Sequence, residues 1–214
     1  MPRPKRPGIR PNGHGDDAMT GNVFAITDAT GGRAARQPAC PGVTTALERA
    51  LNTNRRRHRP GAVIALEGSG RAVVHCVLSG WVSLSKSMPD GQRQIIDFAL
   101  PGDILNAASG DMAAGAMQIE AVTFASVAEI PRRDWARLSR EFPQLGAFEQ
   151  RFLAEAFARL SERMLRLGKG SAETRIAHAI LEFRQRLHAA GSGHDRALHL
   201  PLTQQQLGDF VGLS

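Results

Sequence analysis

Leu202-Thr203-Gln204-Gln205-Gln206-Leu207-Gly208-Asp209-Phe210-Val211-Gly212-Leu213-Ser214 reads as a helix followed by a turn. Thr203 and Gln206, three residues apart, form a helix-start pair. The hydroxyl accepts from an early backbone N–H and the amide reaches back to the cap. Leu207, Phe210 and Val211 repeat at helical spacing. Gly212 breaks the helix, and Ser214 is a good N-cap for another. Together they predict the first helix and turn of a helix-turn-helix unit, a motif whose second helix enters the major groove of DNA. That second helix is expected beyond Ser214.

The segment before it is helical as well. Ser171 is a cap, Glu173 sits in a first turn where the helix dipole favours an acid, and Ile176, Ala177, Ile180, Leu181, Phe183 and Leu187 supply an apolar face. Gly191-Ser192-Gly193 ends that helix, and Ala197–Leu200 reads as a short strand. Upstream, Gln144–Leu167 has no breaker after Gly146. Leu145, Phe148, Phe152, Ala156, Leu160, Met164 and Leu167 recur every three or four residues, and Leu153 and Phe157 widen the stripe. About 24 residues would make a helix of about 36 Å. One stripe can pack on the rest of the chain while another meets a twin helix; spacing alone leaves a dimer helix and an ordinary core helix open. Asp134–Arg140 is a shorter helix before it.

From Pro60 to Ile130 the pattern is one of short strands: Ala62–Leu66, Val73–Leu78, Trp81–Lys86, Gln94–Ala99 and Ala125–Ile130, separated by Gly- and Pro-containing breakers. Strands at this density suggest a sandwich or barrel. Pro89-Asp90-Gly91 predicts a hairpin turn. Val43–Asn54 reads as one short helix with Leu47 and Leu51 on one face, and Arg55–Arg59 as a basic run before the fold proper. Residues 1–42, rich in Pro, Gly and Arg, read as a disordered basic tail, within which Met19 is an alternative start.

The net charge is +7 over 214 residues. Residues 1–60 hold eleven Lys/Arg and four acids, and residues 61–214 hold sixteen of each. The excess charge therefore belongs to the tail, where it adds at most salt-sensitive phosphate attraction. Two cysteines, Cys40 and Cys76, form no disulfide framework or metal spacing, which fits a reducing cytosol. No apolar run is long enough to span a bilayer, and no signal peptide is apparent, so a cytoplasmic protein without a membrane partner is expected. No GxSxG, Walker loop or HExxH occurs, so no enzyme is expected.

The order strand-rich domain, long helix, capped helix, short strand, helix-turn resembles the Crp/Fnr family of bacterial transcription regulators over about residues 57–214. Specific stretches carry the resemblance: Leu78-Ser79-Gly80-Trp81-Val82, Asp90-Gly91-Gln92-Arg93-Gln94-Ile95-Ile96-Asp97-Phe98, Leu100-Pro101-Gly102-Asp103, Glu173-Thr174-Arg175-Ile176-Ala177 and Leu200–Leu207 with Gly212-Leu213-Ser214. The resemblance implies an α+β chain. Its parts are an antiparallel β jelly-roll sensor (43–140), a dimerisation helix (141–168) and a winged helix-turn-helix that is incomplete at Ser214 (169–214). It implies a homodimer on a palindromic double-stranded DNA operator, with RNA polymerase as a further partner. Phe148, Phe152, Ala156, Leu160, Met164 and Leu167 would face the twin helix. Thr203, Gln204 and Gln205 would contact the DNA backbone, positioning rather than specifying.

Cyclic-nucleotide-binding members hold the ligand through a Gly-Glu after the "PGD" turn and an Arg-Ser/Thr about ten residues later. Here Asn106–Gln118 has neither, and no Arg or Lys lies between Arg93 and Arg132. No cyclic nucleotide binding is expected. Two cysteines are too few for a four-thiolate iron–sulfur cluster. No cofactor is expected, though haem through His75 stays open as a minor alternative. His75 reads as a half-exposed strand residue, and Cys76 as a small buried hydrophobe. A rival reading takes Ser214 as the native end and the chain as a dimerisation or ligand-binding module acting on a partner protein.

Overall fold

The computed structural model describes residues 41–69, 72–105, 117–189 and 198–213. The expectations for the tail through residue 40, for the loop 106–116 and for Ala197 fall outside them. A helix α1 (Pro41–Thr53) leads into eight strands: β1 (Arg55–His58), β2 (Val63–Ala65), β3 (Val73–Ser79), β4 (Val82–Ser87), β5 (Arg93–Ala99), β6 (Ile104–Leu105), β7 (Gln118–Ala121) and β8 (Ala125–Pro131). Four helices follow: α2 (Arg132–Glu141), α3 (Pro143–Lys169), α4 (Ala172–Ala189) and α5 (Gln204–Val211).

The strands form two four-stranded sheets, ordered β1-β8-β3-β6 and β2-β7-β4-β5, and every pairing is antiparallel. Inside the sandwich, Val77, Val127, Val82, Leu84, Ile119 and Ala121 interlock. The hairpin between β4 and β5 turns where Pro89-Asp90-Gly91 predicts, with Gly91 at φ +88° and Gln92 N–H donating to the Asp90 carboxylate at 3.0 Å.

Both outer faces are also covered. On the first sheet, Val74, Cys76 and Leu78 pack against Leu47 and Leu51 of α1, Trp135 and Leu138 of α2, and Leu145 and Phe148 of α3. On the second, Trp81, Ile95 and Phe98 pack against Ala179 and Phe183 of α4 and Phe210 and Val211 of α5. Each large side chain buried in this way contributes about 1.5–3 kcal/mol.

Three expectations are corrected, and two strands, β6 and β7, join those expected. Arg55–His58 is the edge strand β1, paired to β8, rather than a run before the fold. Its arginines hide the pattern because an edge strand needs only one hydrogen-bonded neighbour and tolerates charge. The short strands β6 and β7 carry too few residues to show a period. Residues 198–200 form no strand. His75 is buried rather than half-exposed, because sheet packing covers one face of β3 and helices cover the other.

Candidate nucleic-acid interface

Helix α5 begins as its sequence dictates. Gln206 N–H donates to Thr203 Oγ1 at 3.1 Å, and Thr203 N–H donates to Gln206 Oε1 at 2.9 Å, a complete capping box. Gly212 closes the helix in the left-handed region, at φ +67°, with its N–H on the Gly208 carbonyl. Thr203, Gln204 and Gln205 are exposed. Thr203 uses its oxygen as the cap acceptor, so its O–H proton stays available to donate. Gln205 gives its amide to Asp209 Oδ1 at 2.7 Å, which leaves Gln204 with the freer amide. The exposed helix start therefore offers a hydroxyl, an amide and early backbone N–H groups at the positive end of the helix dipole, a donor set suited to an anion such as a phosphodiester.

The opposite side of α5 is locked to the chain. Phe210 stacks on Phe183 with centroids 5.3 Å apart and lies 5.2 Å from Phe98. Gln94 of β5 donates to the Asp209 carbonyl. Arg175, on α4, donates to the Gly212 carbonyl at 3.1 Å and to the Gly170 carbonyl at 3.2 Å, joining the turn after α5 to the end of α3. The Leu167 side chain presses on Gly212, where an added Cβ would come within 2.8 Å of it.

The six residues expected to face a twin helix divide into two groups. Phe148 is 7% exposed and packs inside the protomer with Leu47, Leu51 and Trp135. Phe152 is half-buried beneath the Arg159 guanidinium, 6.0 Å from its ring centroid. Ala156 is half-buried, whereas Leu160, Met164 and Leu167 are exposed, Met164 at 76%. A helix turns about 100° per residue, so each four-residue step overshoots by about 40°. From Phe148 to Met164 the ridge crosses from one face of α3 to the other. Phe157, 73% exposed, and Leu153 lie on the outward face with Leu160 and Met164, while Leu167 turns back toward Gly212.

A charged junction that the sequence does not reveal lies beneath α5. Asp97 on β5, Asp103 in the turn before β6, Arg159 and Arg163 on α3, and Glu182 and Arg186 on α4 form three cations against three anions. Arg163 meets Asp97 at 3.0 Å and Glu182 at 3.2 Å; Arg186 meets Asp97 at 3.2 Å and Asp103 at 2.6 Å. Asp103 also accepts from Leu100 N–H at 2.8 Å. The paired residues of the junction stand up to 89 positions apart in sequence, as Asp97 and Arg186 do, beyond the reach of any local pattern. The "PGD" stretch marks Asp103 only as part of a turn.

The sensor side shows no metal-holding group of three or more His, Cys, Asp or Glu among the described residues. Burial pushes the Cys76 thiol far above its ordinary range, so it is a packing residue. His75 is buried and engaged within the protein. The stretch that decides cyclic nucleotide binding falls mostly within 106–116, outside the described residues.

Residues 55–142, from β1 to the end of α2, match the family described as the cyclic nucleotide-binding domain. The chain is 31% identical over 158 residues to the transcriptional activatory protein AadR of Rhodopseudomonas palustris, covering 74% of this chain and 65% of AadR. It is 36% identical over 139 residues to the nitrogen fixation regulation protein FixK of Bradyrhizobium diazoefficiens, covering 64% of this chain and 57% of FixK. The likeness is to regulators of the Crp/Fnr type. The structure of FixK2 from Bradyrhizobium japonicum superposes on this chain with a TM-score of 0.64 at 27% identity, covering 75% of this chain and 77% of that one. The chain spans less than two thirds of the length of AadR and FixK. No helix among its described residues is long and apolar enough to cross a membrane.

Proposed function

We propose that the chain is the sensor, dimerisation and first helix-turn-helix portion of a sequence-specific, DNA-binding transcription regulator. It acts in the cytoplasm as a homodimer and is not an enzyme. The observation that carries this reading is α5: a fully capped helix, fixed on its inner side and closed by a left-handed glycine turn, that presents Thr203, Gln204 and Gln205 outward. AadR is named as a transcriptional activatory protein, which favours activation, and hence contact with RNA polymerase, for this chain. Two-fold symmetry then calls for half-sites about one helical turn apart.

The dimer contact is assigned to the outward face of α3, through Leu153, Phe157, Leu160 and Met164, with Phe148 left out because the protomer already buries it and Leu167 because it packs on Gly212. A 27-residue helix is about 40 Å long, and a contiguous apolar strip of this kind marks an association surface. Phe157→Asp is expected to convert a dimer to a monomer in light scattering while leaving the circular dichroism spectrum intact. A monomeric parent chain would sink the assignment.

The signal is proposed to be something other than a cyclic nucleotide. Arg93 is the last cation before a stretch without Arg or Lys that runs to Arg132, and it is already paired with Glu120 at 3.0 Å. Titration calorimetry with cyclic AMP should show no binding heat. The DNA reading itself is tested by selecting bound sequences from a random duplex pool, using the chain together with whatever its gene encodes after Ser214. Recovery of a palindrome supports it; recovery of no preferred sequence overturns it.

A further inference from the structure

Arg163 stands apart from its neighbours on α3. It is 9% exposed, and it touches every other element that meets beneath the helix-turn-helix segment. Its guanidinium donates to the Ile96 carbonyl and pairs with Asp97, both on β5. It donates to Glu182 Oε1 of α4 at 3.2 Å, and it lies over the Phe210 ring of α5, 4.7 Å from the centroid. Sensor roll, long helix, α4 and α5 thus share one side chain. A planar, always-charged fork suits such a place, because it has donors in several fixed directions and a face for an aromatic ring.

We infer that Arg163 is the positioning residue that sets the pose of α5 relative to the long helix and the roll. Stability alone does not account for a three-against-three charge cluster built around the buried pair Arg163 and Glu182, since apolar packing usually does as well or better than buried ion pairs. What the cluster adds is direction. The donors of Arg163 and Arg186 on carboxylates and carbonyls of β5, α4 and the turn before β6 hold those elements against α3 in one arrangement, and the guanidinium face so fixed gives the Phe210 ring of α5 its seat. In a two-fold dimer built on α3, that arrangement also fixes the separation of the two α5 helices. The purpose of such positioning rests on the DNA-binding reading; the positioning itself does not.

Hydrogen exchange read by mass spectrometry on the whole chain tests it, comparing the parent with R163M, R163K and E182Q. In R163M the amides of 204–211 should exchange about tenfold faster, with those of β3 and β8 unchanged. R163K, which keeps the charge but not the fork, should recover part of the protection. If R163M fails to fold, E182Q supplies the same comparison by removing one carboxylate charge without changing shape. Unchanged exchange in α5 would overturn the inference. So would equal acceleration in β3 and β8, which would make Arg163 a general stabiliser only. A parent chain that binds no specific DNA would sink the proposed function and leave the exchange pattern unaffected.

Discussion

Gly80 occupies a position that no other residue can hold. It sits at φ +78°, and a Cβ there would stand 2.3 Å from the Phe124 carbonyl oxygen and 2.8 Å from the Ala125 Cα. The close approach brings the Trp81 N–H onto Thr123 Oγ1 at 2.9 Å and ties the β3–β4 and β7–β8 connections together. Gly91, at φ +88° with open space around it, isolates the conformational part of the effect. Gly91→Ala should cost about 1 kcal/mol through its backbone angle alone. Gly80→Ala should cost about 3 kcal/mol, because backbone must also move. Urea denaturation of both variants measures the difference; equal midpoints would show that the close approach carries no energy. The sequence singled out Ser79-Gly80 as a breaker, but the carbonyl that makes glycine obligatory comes from more than forty residues away.

At the scale of elements, the capped helices were the most legible. A cap is a local bargain between residues three apart, and α5 and α4 begin where Thr203 and Ser171 say. Thr203→Ala should therefore cost about 1 kcal/mol and Thr203→Ser very little, both read as shifts in thermal midpoint; equal losses would mean the hydroxyl is not the capping group. Helix α3 was legible in extent and type but not in orientation. An apolar residue every four positions identifies a helix, yet the same ridge winds around it, so Phe148 serves the roll and Met164 faces outward. Leu153 and Phe157 were noticed only as a widening, though they belong to the outward face. Strand β1 was missed for a related reason. Three consecutive arginines signal solvent, and an edge strand is half solvent.

Whole-molecule organisation was readable from the order of elements, while the contacts between them were not. The junction of Asp97, Asp103, Arg159, Arg163, Glu182 and Arg186 exists only once β5, α3 and α4 are assembled. Its electrostatics extend to His178 on α4. Burial, followed by Arg166, lowers the pKa of His178 below its ordinary 6.5; Arg163 acts in the same direction and Glu182 and Glu162 oppose it. Above pH 6.5 the imidazole is neutral in folded and unfolded chains alike. As the pH falls through that value the unfolded chain takes up the proton first, so stability declines until the folded-state pKa is also passed. His178→Gln should flatten this decline, as measured by urea unfolding on either side of pH 6.5. An identical slope in parent and variant would assign the pH dependence elsewhere.

The placement of α5 has one more outcome. Its inner side, Phe210 and Val211, closes over Trp81, Ile95 and Phe98 on the outer face of the second sheet. The helix that offers donors outward is therefore also a lid on the aromatic half of the roll. A protease cutting between α4 and α5 would not liberate a clean sensor. It would take the Phe210 ring off Phe98 and Phe183, opening an apolar patch between the roll and α4, and the fragment would be prone to clumping. For this fold, keeping the roll soluble and keeping α5 attached are one requirement.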